Sequence, residues 1–285
     1  DWSGAKFADK EQPKYWNFPN VSQMGIDKNF AHKTTGRSGS ALKIQDQWVG
    51  AMGIGATSPG YVALGKPWAY VSSITAIDDA TAGTYGGIQW KYRPDSMVVW
   101  IKRYYDNGAE GADGDHVMDE DFNILYYAWS GTSQGTSYKA KNGSCTNIYK
   151  SKPEYCVDEE SDIRQALNGN ECETKTYAKQ IAEGWICDRK VYSNWTRIVI
   201  PIYYLNDDVP QKCNVILSAG RYPDFRANEG QYAGSTMDVD DISLVYSSKI
   251  QKLYISGREW KAIDPNSTEE QMYSVGQGVT AIPDT

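Results

Sequence analysis

Apolar residues recur along much of this chain with a period of two, the spacing of strands with one face turned inward. The clearest run is Ser96–Tyr105. It sets Val99 and Ile101, with Arg103 and Tyr105, against Val98, Trp100, Lys102 and Tyr104. Further strands are predicted over 41–44, 61–65, 86–94, 122–129, 195–205, 214–219 and 237–246. Residues 177–186 fit either a strand or a helical turn. Pro94 ends its strand and Pro201 predicts a bulge or an edge, because proline cannot donate a ladder hydrogen bond. The Gly- and Met-bearing stretch at about 50–60 is expected to be a linker, and the Gly- and Asp-rich stretch 106–121 a loop.

In the last run, Asp240, Ile242, Leu244 and Tyr246 alternate with Val239, Asp241, Ser243 and Val245. The first set is expected to face the core. That turns Asp240 inward, where a carboxylate needs hydrogen bonds, a cation or a basic partner. Residues 130–172 break the rhythm with Gly, Ser, Lys and Asn, and a short helix at 161–167 is expected there. This region reads as a loop insertion. With many short strands and no long amphipathic helix, the pattern predicts an all-β sandwich. One domain is expected over 1–250, followed at 251–285 by a strand and tail that begin a further region.

Composition sharpens this picture. The 285 residues include 21 Tyr and 10 Trp but only 5 Phe, rings with an apolar body and a polar tip that serve wet binding surfaces as well as cores. The net charge of −7 and the lack of a basic run argue against nucleic acid. No apolar run approaches the roughly 20 residues of a membrane helix. Five cysteines without a Cys-x-x-Cys pair argue against a zinc site and allow one or two disulfides. His32 and His116 are expected in ordinary loops. A chain beginning at Asp1 suggests a mature fragment whose leader or anchor has been removed.

Three sets of residues could carry chemistry. Trp90, Tyr92, Trp100, Tyr104, Tyr127, Trp129 and Trp195 could stack on sugar rings, with Arg93 and Lys102 bonding hydroxyl groups. Roughly half of these rings are expected to fill the core instead. Within the set, Trp100 and Tyr104 flank Lys102 on one strand face. Asp238, Asp240 and Asp241 offer the hard oxygen ligands of a structural Ca²⁺; their alternative is ordinary hydrogen bonding. Asp119, Glu120, Asp121 and Glu229 could supply the two carboxylates of a glycosidase, although no spacing selects a pair.

The ordered set Trp16–Asn20, Ser38–Leu42, Tyr92–Pro94, Lys102–Tyr105, Trp195 before Ile200–Tyr204, and Gly234–Tyr246 resembles the putative carbohydrate metabolism domain (PCMD) family of surface and secreted proteins of gut Bacteroidetes. The resemblance covers roughly residues 15–260, and the 130–172 insertion departs from it. It implies a jelly-roll sandwich similar to carbohydrate-binding modules. It also implies an exported protein, either periplasmic or a lipoprotein at the outer-membrane surface. The resulting expectation is a monomer that binds an oligo- or polysaccharide by aromatic stacking. The alternatives are a glycoside hydrolase using a loop carboxylate pair, and an adhesion or structural module.

Overall fold

A computed structural model describes residues 2–3, 12–19, 21–23, 26–70, 81–131, 140–141, 144–145, 179–222, 232–246, 253–255 and 258–260. Its frame is eight strands: β1 (Ser40–Gln45), β2 (Tyr61–Ala63), β3 (Ser96–Tyr105), β4 (Phe122–Ser130), β5 (Lys179–Asp188), β6 (Tyr192–Pro201), β7 (Lys212–Ser218) and β8 (Ser235–Val245). They form two sheets ordered β6-β3-β8-β1 and β2-β7-β4-β5. This is the jelly-roll order of a double Greek key. Three short strands extend the edges: Ala31–Thr35 beside β1, Ile88–Gln89 beside β7, and Tyr203–Tyr204 beside β5. The all-β sandwich expected from the sequence is the fold observed. By its internal contacts the chain divides into units 1–244 and 245–285. The second unit contributes a short hairpin, Leu253–Ile255 with Arg258–Trp260.

The main core lies between the sheets. Met97, Val99 and Ile101 of β3 face Ile124, Tyr126 and Ala128 of β4, and all six are buried. β4 is buried on its other face as well. There Leu125, Tyr127 and Trp129 pack with Tyr61, Ile216 and Tyr222 in a second cluster. A strand covered on both faces reads as a continuous apolar run, which is why 122–129 shows almost no alternation.

Three local features differ from expectation. The stretch near 50–60 is a hairpin, Gln47–Ala51 with Ile54–Ser58. It turns through Met52 and Gly53, both at positive φ, the conformation two-residue hairpin loops favour. The 195–205 run is split. β6 ends at Pro201, and the chain crosses to the other sheet to pair Tyr203 and Tyr204 with Glu183 and Ala182. Within the expected 177–186 run, the described residues 179–186 are strand and belong to β5. His32 lies in the edge strand Ala31–Thr35, where its backbone pairs with Lys43, so the loop expected for it is replaced by sheet.

In β8, Met237 and Val239 enter the core. At Asp241 the backbone takes a left-handed φ of 46°, and beyond it Leu244 packs against the core while Ile242 and Tyr246 are largely exposed. A local irregularity of this kind moves side chains to the other face. The core face expected through Asp240, Ile242, Leu244 and Tyr246 therefore holds only for Leu244. The helix expected at 161–167 and most of the 130–172 insertion lie outside the described residues. Cys187 and Cys213 are free thiols, and burial raises the Cys213 thiol to about 12. The side chains of Cys145, Cys156 and Cys172 lie outside the described residues.

Candidate functional site

An open groove of about 590 Å³ lies where the edge strand Ile88–Gln89 meets the start of β7. Gln89, Trp90, Lys91 and Tyr92 line one side, and Val209, Pro210 and Gln211 the other. The two walls are joined through the backbone, because the Trp90 amide donates to the Gln211 carbonyl at 2.8 Å. The Trp90 and Tyr92 rings meet edge to face, with centroids 5.2 Å apart at 73°. Trp90 is half-buried against the main core, whereas Tyr92 is 52% exposed. One ring is therefore anchored and the other offered to solvent.

Local sequence explains how this wall is held. A Cβ on Gly87 would lie 2.2 Å from the Cys213 carbonyl oxygen and 2.8 Å from Cη2 of Trp129. Only glycine lets the edge strand approach this closely. Trp129, fully buried, lies beneath the site, and its carbonyl accepts the Gln211 amide at 2.9 Å. The opposite wall is fixed by Arg93. Its guanidinium lies 3.9 Å from the Tyr204 ring centroid and donates to the carbonyls of Asn206 and Asp208. The Tyr204 hydroxyl in turn donates to the Pro94 carbonyl at 2.8 Å.

The expected aromatic set is thus divided. Trp90 and Tyr92 line the groove, and Arg93 shapes its wall rather than offering its charge to a ligand. Trp129 and Tyr127 are interior rings, because β4 is covered on both sides. Trp100, Lys102, Tyr104 and Trp195 lie half-buried on the outer face of the β6-β3-β8-β1 sheet. There Arg37 covers the Trp100 ring at 3.6 Å, and Lys102 sits 4.9 Å from the Trp195 ring centroid. The Tyr104 hydroxyl donates to Asp238 at 3.2 Å. Burial first, then the neighbouring Asp238 carboxyl, raises the Tyr104 phenol. Arg37 thus covers Trp100 and Asp238 holds the Tyr104 hydroxyl, so both members of the expected stacking pair already have partners within the chain.

The expected calcium ligands do not converge. Asp238 is held by Tyr104. Asp240 accepts the Arg37 amide at 2.8 Å and the Asp241 amide at 2.9 Å. Asp241 pairs with the Arg37 guanidinium at 2.6 Å. Among the described residues, no group of three or more His, Cys, Asp or Glu side chains is placed to hold a metal.

The loop acids also diverge. Asp119 bonds His116 at 3.0 Å, and the His116 ring stacks on Tyr232 at 4.3 Å. Asp121 pairs with Arg189 at 2.7 Å. Glu120 is 1% exposed and accepts from the Ser235 hydroxyl at 2.6 Å and from the amides of Arg221 and Tyr232. Glu229 lies outside the described residues.

Sequence reasoning missed Glu120's interior partner, Asp46. Asp46 is fully buried and accepts the Gly60 amide at 2.7 Å. Its other oxygen has no N–H or O–H donor among the described residues and faces Glu120. Burial, then the Glu120 charge, pushes the Asp46 carboxyl well up. Burial also raises Glu120, against the opposing hydrogen bonds from Asp46 and Ser235. Two carboxyls this close disfavour ionising together. Arg103 is buried beside the pair and donates to the carbonyls of Glu120 and Arg189.

Fold and site together define a jelly-roll β-sandwich with an aromatic groove at its edge. No family model matches the chain, and no curated protein does. Among the solved structures that match the chain, two show a distant likeness. One, from Bacteroides thetaiotaomicron and described as a putative glycoside hydrolase, is 16% identical with a TM-score of 0.47. The likeness covers 85% of this chain and 65% of that one, so this chain spans less than two thirds of that protein. The other, from Bacteroides vulgatus and described in the same words, is 18% identical with a TM-score of 0.49; the likeness covers 86% of this chain and 90% of that one.

Proposed function

We propose that this protein binds a glycan in the Trp90–Tyr92 groove without cleaving it. The observation that carries the reading is the groove's lining. An exposed ring is braced by an anchored one, and two glutamine amides and one lysine flank them. Rings of this kind stack on the C–H faces of a pyranose, and amides bond its hydroxyls. Glycoside hydrolysis generally requires two carboxyl groups flanking the bond to be cleaved. No acid stands among the described lining residues, and Glu120 is committed to an interior pair.

An envelope location and kinship with the PCMD domains belong to this proposal and rest on the ordered motifs of the chain. A glycan array read with wild type and Tyr92→Ala tests the function. Binding lost in the variant, with no products from the bound glycan, supports it. A blank array overturns it and favours the adhesion module; released sugar would favour the hydrolase.

A further inference from the structure

The described lining of the groove combines one charged group with neutral polar ones. The Gln211 carbonyl is taken by the Trp90 amide, and the Gln211 side-chain oxygen accepts the Gly131 amide at 3.0 Å. This leaves the NH₂ as the donor end of the Gln211 side chain. Just before this wall in the chain, the carbonyls of Asn206 and Asp208 are taken by Arg93. The charged group among the described lining residues is Lys91, an ammonium that can only donate. Its nitrogen lies 5.7 Å from the Tyr92 ring centroid, on the scale of a cation beside an aromatic face. A sugar stacked on Tyr92 would therefore have this ammonium beside its ring substituents.

A neutral sugar offers hydroxyls that donate as readily as they accept, and none of them gives an ammonium a charged partner. A carboxylate or sulfate accepts only, and its bond to an ammonium is charge-assisted and stronger.

We infer that the groove takes a saccharide bearing an anionic oxygen group, a uronate carboxylate or a sulfate ester, placed against Lys91 and the Gln211 amide. The inference rests on the glycan-binding reading and narrows its ligand class. Neutral glycans would bind more weakly because they leave the ammonium without a charged partner.

The test uses calorimetric titration of the whole chain with a galacturonate oligomer and its methyl ester, and with sulfated and plain dextran oligomers. The expected result is about tenfold tighter binding of an anionic form than of its neutral counterpart, shrinking as salt is raised. Lys91→Gln, a surface change, should bring the two forms together, while Tyr92→Ala should remove both. Tight binding of sulfated dextran alone would identify sulfate as the anion and leave the inference standing. Equal binding of charged and neutral forms, or anionic binding unchanged in Lys91→Gln, would overturn it while leaving glycan binding intact. No binding of these oligomers together with a blank array would overturn both.

Discussion

The carboxyl groups of Asp46 and Glu120 meet over the α-carbon of Gly220. A Cβ built on that glycine would lie 1.9 Å from Asp46 Oδ2 and 2.3 Å from Glu120 Oε1. Asp46 follows β1, Glu120 precedes β4, and Gly220 follows β7. The pair thus joins segments from both sheets, and the Ser235 hydroxyl adds the start of β8.

The raised carboxyls make stability depend on pH in a fixed direction. Both carboxyls have folded-state values above their unfolded ones. Their contribution is complete below the unfolded value of about 4 and is lost as pH rises through the folded values. Thermal melts from about pH 4 upward should therefore show a falling contribution. Asp46→Asn keeps an N–H donor to Glu120 and should flatten the slope relative to wild type. An unchanged slope would refute the upward shift of the two acids.

Gly220→Ala puts a methyl group where two carboxylate oxygens already sit. Backbone and both acids would have to shift, so a loss of about 3 kcal/mol is expected. Urea unfolding would measure it. A loss under about 0.5 kcal/mol, the range of ordinary surface changes, would show that the pair is looser than described.

Arg93→Lys keeps the charge and removes the planar fork that clamps the Asn206 and Asp208 carbonyls while lying on Tyr204. Lysine cannot reproduce that geometry. Faster amide exchange over residues 206–211 is expected, with glycan affinity reduced several-fold and the melting temperature little changed. Exchange confined to its wild-type rate would exclude a role for Arg93 in holding the wall.

Two tryptophans from the same predicted set should behave oppositely. Trp129→Ala empties a site in the second core cluster and should cost about 3–5 kcal/mol, seen in chemical unfolding. Trp100→Ala should leave glycan affinity unchanged, because its ring is already covered by Arg37. Loss of binding on Trp100→Ala, with the fold intact by circular dichroism, would move the site to the outer sheet face.

Much of the frame was legible where one face of a strand is wet. In β3 the alternation of Val99 and Ile101 with Trp100 and Lys102 matches the observed faces. In β4 the absence of alternation hid the fact that Trp129 faces a second core and not solvent. In β8 the phase changes at Asp241, and nothing in the composition announces a left-handed aspartate. At the site, Trp90 and Tyr92 could be picked out as rings. Val209, Pro210 and Gln211 could not, because they reach the groove from a distant segment through a backbone bond that carries no residue signature. The Asp46–Glu120 pair was hidden for the same reason: the two acids are brought together only by tertiary packing.

The place of β8 between β3 and β1 carries a consequence for biogenesis. Thr236 pairs with Gln45, so the middle of one sheet is supplied by nearly the last stretch of the sandwich to be synthesised. Until it arrives, β1 and β3 each present an unsatisfied inner edge, and contacts this distant in sequence form slowly. Such edges invite pairing between chains. A chain cut before Ser235 should therefore aggregate rather than yield a smaller folded sandwich, and a molecular chaperone acting on the nascent protein would find its client surface along those two strands.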